Sequence, residues 1–187
     1  MTVGTWALMI GASGVYRSIN TSGAAWARLG FYFIVVGTAL WTVSLSGDVA
    51  TASAVANWLA APAAGKEAAF GVVAALSAFG RGVYPMSIVV FWLAIAFLGI
   101  GMVSSAVYPR WLGWIGLILG VAVIPVGITQ TFAERSIPLT LVFMVFALLT
   151  ALWGSVVGIW GARKAKRTSS TPWFPSPKGF AICWNAT

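Results

Sequence analysis

The sequence has no histidine, one cysteine and only three carboxylates in 187 residues. Without an imidazole it lacks the commonest general base and transition-metal ligand, and histidine ligation of haem or chlorophyll is excluded. The lone Cys183 rules out an internal disulfide and a cysteine-based metal cluster. Asp48, Glu67 and Glu134 fall between or at the ends of apolar runs, so no acidic pair is placed within the membrane for proton relay. Serine and threonine abound without a recognisable base beside them. The glycine-bearing stretch GIGMVSSAV (99–107) lacks the lysine of a phosphate loop. The reading from these absences is a protein that is not an enzyme, with no cofactor and no metal.

Charge is scarce as well. Charged residues make up 7% of the chain and apolar ones 60%, with a mean hydropathy of +0.94. A soluble domain carries about 25% charged residues and needs them to cover its surface. This surface must therefore face lipid, and in lipid a backbone crosses as a helix because open strands leave polar groups unpaired. The net charge of +8 is spread between the apolar runs rather than gathered into a nucleic-acid-reading face. An all-α integral membrane bundle is expected.

Four charge-poor runs are long enough to span: 29–47, 84–107, 112–130 and 137–161. A shorter run, 3–16, reads as the inner end of a helix whose upstream half lies outside the chain, giving about five membrane segments. Residues 48–82 are alanine-rich and interrupted by Pro62 and Lys66–Glu67, which predicts an interfacial or re-entrant helix over 68–80. With these five segments, eight basic residues fall on one side and three on the other; a sixth span at 68–80 changes the split to seven and four. The positive-inside rule favours five, with the C-terminus cytoplasmic. The tail, 162–187, opens with ARKAKR, whose Arg163, Lys164, Lys166 and Arg167 are expected to anchor at the headgroups for about 1 kcal/mol each. The rest of the tail, with three prolines and no helical period, is expected to be disordered.

One motif joins two of these segments: YPRWLGWIGLILG (108–120). Pro109 disfavours helix in the residue before it, Arg110 reaches phosphates from the turn, and Trp111 and Trp114 share a face at the depth where indoles settle. The motif reads as a hairpin with interface anchors rather than a ligand site. Gly113, Gly116 and Gly120 then form a small-residue strip, and Gly154 and Gly158 repeat the spacing in the last run. Small residues four apart let backbones approach closely. The Gly116/Gly120 face is expected to meet another helix, Gly154/Gly158 first, so leucine at Gly116 or Gly158 is expected to loosen the fold. Pro125 is expected to kink its helix.

FWLAIAFLGIGMV (91–103), SSAVYPRWLGWIGLILGVAV (104–123) and RSINTSGAAWARLGFYFIVVG (17–37) together resemble a bacterial multi-pass membrane family known only as domain of unknown function four-three-eight-six, over about residues 15–162. The resemblance implies a bundle of several helices. The family has no assigned activity, so no functional residue is carried over.

The sequence also places uncharged polar groups at depth, among them Thr38, Thr42, Thr129, Gln130, Thr150 and Ser155. Interhelical hydrogen bonds worth roughly 0.6 kcal/mol each are expected from them. The function expected is association with the bilayer and with other membrane subunits or itself, for example as an accessory subunit of a larger complex in the cell membrane, without nucleic acid. The alternative is a carrier or binding protein for a lipid or small apolar ligand. A pigment ligand would have to be a group such as Gln130, Asn57 or a backbone carbonyl.

Overall fold

The computed structural model describes residues 2–19, 22–132 and 137–169, with side chains over 6–19, 22–130 and 137–164. Five α-helices, α1 (Thr2–Ser18), α2 (Ala24–Ala60), α3 (Lys66–Val103), α4 (Arg110–Phe132) and α5 (Ile137–Ser169), make an all-α bundle, with no strand among the described residues. Four of them, α2 to α5, are long and apolar enough to cross a membrane. α1, with 17 residues, falls short of that length.

Two sequence boundaries are corrected. No separate helix occupies 48–82. This stretch is the distal half of a continuous α2–α3 hairpin whose helices have 37 and 38 residues. The turn lies only at 61–65, where Ala61 is extended (φ −67°, ψ 139°) ahead of Pro62, as a residue before proline must be. Charge at Asp48 does not stop a helix, and alanine propagates one better than any other residue. Each arm is about 55 Å long, against about 30 Å of hydrocarbon. The other correction concerns the tail. α5 continues through ARKAKR to Ser169, so the first two residues of the stretch expected to be disordered, 168 and 169, are helical, consistent with alanine, lysine and arginine as strong helix formers and cations as favourable at a helix C-terminus. Residues 170–187 lie outside the described residues.

Prolines do not break the long helices. Pro85 is buried inside α3 and Pro125 lies within α4. α3 ends earlier than the expected residue 107: Val103 is its last residue, and the turn is held by Ser104 N–H and Ser105 N–H donating to Ile100 and Met102 carbonyls.

α3 is the central helix. α2 packs on one side of it and α4 on another, α5 packs on α4, and α1 bridges α2 and α5, which closes a ring. α2 buries Ala27, Gly30, Ile34 and Gly37, spaced alternately three and four apart. A methyl carbon at Gly30 would lie 2.9 Å from the Leu98 nitrogen, and one at Gly37 would lie 3.1 Å from the Phe91 Cα. The absence of side chains at these positions is what lets the two backbones meet. Tyr16 stacks on Phe31 at 5.4 Å and ties α1 to α2.

Candidate functional site

At the basic end of the bundle, the α3–α4 turn is fastened from three sides. The Tyr108 hydroxyl is buried and hydrogen-bonds the Ser18 hydroxyl of α1 at 3.0 Å. Ser22, just ahead of α2, donates to the Ser104 carbonyl at 2.7 Å, and Lys164 of α5 donates to the Val107 carbonyl at 3.1 Å. Arg17, Arg28, Arg110 and Arg163 are exposed around this end. Trp111 and Trp114 lie half-exposed on the outer face, the placement expected of interface anchors. Tyr108 is no anchor; it is a core residue. α5's backbone passes through Lys166 and Arg167, but their side chains lie outside the described residues.

The glycine strip of α4 is a contact surface, but its partner is not the expected one. A methyl carbon at Gly120 would stand 2.5 Å from the Ala96 nitrogen and 2.7 Å from the Trp92 carbonyl oxygen. At Gly113 it would stand 2.7 Å from the Val103 nitrogen, and Gly99 of α3 abuts Gly113 and Leu117 in return. α4 therefore rides backbone to backbone on α3. Gly116 faces α5, but against the Trp153 ring, 2.5 Å from where its methyl carbon would be. The Trp153 indole N–H donates to the Leu112 carbonyl at 2.8 Å. Gly154 and Gly158 have nothing within 4 Å. The expected pairing of Gly116/Gly120 with Gly154/Gly158 is not formed, because the bulky Trp153 fills that interface while Gly154 and Gly158 point away from it.

A second site lies toward the other end, between α2, α3, α4 and α5. Four rings form a chain: Trp41 to Tyr84 at 5.8 Å, Tyr84 to Phe143 at 6.4 Å, and Phe143 to Trp92 at 5.3 Å. Buried polar atoms without a hydrogen-bond partner include Trp41 Nε1, Trp92 Nε1, Thr38 Oγ1 and Gln130 Oε1. Trp92, Thr38 and Gln130 are 5%, 4% and 9% exposed, so their polar groups are shut off from lipid and water alike. Helix register sets Thr38 beside Trp92, and Trp41 and Gln130 nearer Tyr84. Gly37 abuts Phe91, Trp41 meets Tyr84, and Gly127 abuts Ile88 and Val89 one turn before Gln130. Among the described residues, Thr42, Thr129 and Thr150 bond within their own helices rather than across to a neighbour. Like Ser155, they donate to the carbonyl four residues back. Thr38 departs from that habit. Sequence could not separate it from Thr42, since both are threonines in an apolar helix.

No family model, curated protein or solved structure matches the chain. Among the described residues, no group of three histidine, cysteine, aspartate or glutamate side chains could hold a metal ion. What the described geometry offers is an open helix face on α5 and a few buried, uncharged polar groups without partners.

Proposed function

We propose that the chain is a non-enzymatic membrane protein that works by helix–helix association, as an accessory subunit of a larger complex or as an assembly of its own copies. The observation that carries this reading is the open face of α5. Only 22% of its spanning window is buried, against 61% for α3, and Gly154 and Gly158 leave bare backbone with nothing packed on it. Between lipid-exposed helices, association rests on close packing rather than on a hydrophobic force, and bare backbone is where it is closest. Elsewhere on its uncovered surface α5 exposes Leu148, Leu152, Val156 and Ile159, a surface suited to lipid or to another apolar helix.

The test is native mass spectrometry after mild extraction, comparing the parent with Gly154→Leu/Gly158→Leu. The doubly substituted chain is expected to fly alone while the parent carries a partner or a second copy, with thermal midpoints equal. A parent that is already a lone chain, or an assembly indifferent to both leucines, would remove the proposal.

The basic end is assigned to the cytoplasm of a bacterial cell membrane, supported by the positive-inside rule and by the family resemblance of residues 15–162. In a Cys183→Ser background, Ala64→Cys at the hairpin turn should react with a membrane-impermeant maleimide on intact cells. Ala162→Cys should react only after lysis. The reverse pattern inverts the topology. The ligand-binding alternative is favoured by one observation, the buried polar atoms of Thr38, Trp41, Trp92 and Gln130 that lack a hydrogen-bond partner.

A further inference from the structure

We infer that the basic end of the bundle is a binding surface for phospholipid headgroups of net negative charge, which it takes in preference to zwitterionic ones. The inference is independent of association through α5 and of which side of the membrane this end faces.

Charge spacing sets the depth. On α2, Arg28 and Asp48 stand 20 residues apart (48 minus 28) with no charge between them. That is about 30 Å of helix rise, the thickness of the hydrocarbon, so Arg28 lies at one headgroup layer and Asp48 at the other. Indoles mark the same level. Trp26 and Trp160, 42% and 41% exposed, join Trp111 and Trp114 near this end, the depth at which such rings settle.

The cations follow exposure to lipid. α1 carries Arg17, α2 Arg28, α4 Arg110, and α5 Arg163 and Lys164, all of them exposed. α3, the central helix and the most buried, carries none here, since residues 82–109 have no charge. Each outer helix thus presents positive charge at headgroup depth. Two of these cations flank one turn: Ser18, next to Arg17, bonds Tyr108, and Lys164 bonds the adjoining Val107. The surface extends beyond the ARKAKR cluster, because Arg17, Arg28 and Arg110 belong to other helices.

Among the described residues the carboxylates are Asp48 and Glu67, at and beyond the far headgroup layer. Counter-charge at the basic end therefore comes from outside the chain, and at this depth the abundant anion is lipid phosphate. A zwitterionic headgroup brings an ammonium with its phosphate and so returns like-charge repulsion. A headgroup of net negative charge does not, and each cation near such a surface gains about fivefold in binding.

The probe is spin-labelled phosphatidylglycerol, compared with phosphatidylcholine bearing the same labelled chain, in phosphatidylcholine vesicles that hold the full-length protein. Electron spin resonance separates label held at the protein surface from label in free bilayer. Phosphatidylglycerol should be held about fivefold more strongly, and the preference should fall toward parity in about 1 M salt. Equal association of the two labels, or a preference indifferent to salt, overturns the inference. So does release of the label by inorganic phosphate beyond that by chloride at equal ionic strength, which would make dissolved phosphate the ligand. Arg17→Gln/Arg28→Gln/Arg110→Gln, which leaves the tail cluster intact, should lower the preference about twofold or more. Arg81→Gln, at the far end, should leave it unchanged. A triple variant with the full preference, or an equal loss in Arg81→Gln, puts the selectivity elsewhere and overturns the surface. If the triple variant does not fold, Arg28→Gln alone is judged against Arg81→Gln in the same way.

Discussion

Gly120→Leu should leave little folded protein, whereas Gly154→Leu should leave the thermal midpoint where it was. Both glycines belong to GxxxG spacings within long apolar runs. Their surroundings differ. Even the first carbon of a side chain at Gly120 meets the Ala96 nitrogen and the Trp92 carbonyl at 2.5 and 2.7 Å. Those are backbone atoms, so no rotamer change relieves the clash and α3 and α4 must separate. Overpacking a core typically costs 1–3 kcal/mol, and a leucine forced between two backbones should reach or pass about 3 kcal/mol. That is a large part of a total stability of roughly 5–15 kcal/mol. At Gly154 the same side chain enters open space. Thermal unfolding and size-exclusion profiles in one detergent compare the two directly. Equal losses would mean that α4 does not ride on α3. The sequence expectation that leucine at Gly158 loosens the fold is reversed by the same open space.

Trp153→Ala should loosen α5, and it should do so together with Gly116. The indole fills the space over Gly116 and donates to the Leu112 carbonyl, so its removal takes away both the packing and the hydrogen bond. Truncating a buried tryptophan to alanine typically costs about 3–5 kcal/mol, of which a membrane hydrogen bond supplies roughly 0.6. Packing dominates. Gly116→Ala should be destabilising by about 1–3 kcal/mol while the ring is present, and nearly neutral once Trp153 is alanine. A double-mutant cycle by reversible unfolding in mixed micelles should then show a coupling above about 1 kcal/mol. Additive losses would separate the two residues and sink this account of the α4–α5 interface.

The membrane class was legible because a deficit of charge is a property of the whole surface and needs no knowledge of partners. Close approach at Gly113, Gly116 and Gly120 was legible for a similar reason: the absence of a side chain every few residues exposes backbone. What meets that backbone was not, since spacing records only one side of a contact. Hence Gly154 and Gly158, with the same spacing, lie open, and Gly99 and Ala96 took their place. The small-residue ladder of Gly23, Gly30 and Gly37 stands in the sequence at intervals of seven, yet it entered the reading only through a family resemblance. Its regularity was the available signal for the α2–α3 seam. The division of the hairpin at Asp48 and Tyr84 does not hold because it follows charge, at Asp48 and Arg81. Charge marks where the solvent changes, while the helical backbone continues through both residues. Which buried polar atoms lack a partner depends on side-chain rotation and on antiparallel register, neither of which one chain segment contains.

The unequal helices also decide how the protein responds to bilayer thickness. α2 and α3 have some 20 Å to spare at their far end, since 37 residues rise about 55 Å, and α5 extends past the basic end. α4, with 23 residues, has almost no surplus beyond about 34 Å. It is the ruler of the bundle. In a thicker membrane the long helices simply submerge more of their length, while α4 can adapt only by standing more upright or by drawing the lipid inward around Trp111 and Trp114, at fractions of a kcal/mol per Å. Because α4 is seated on α3 without side chains between them, that adjustment cannot be made by α4 alone; it tips the pair as a unit.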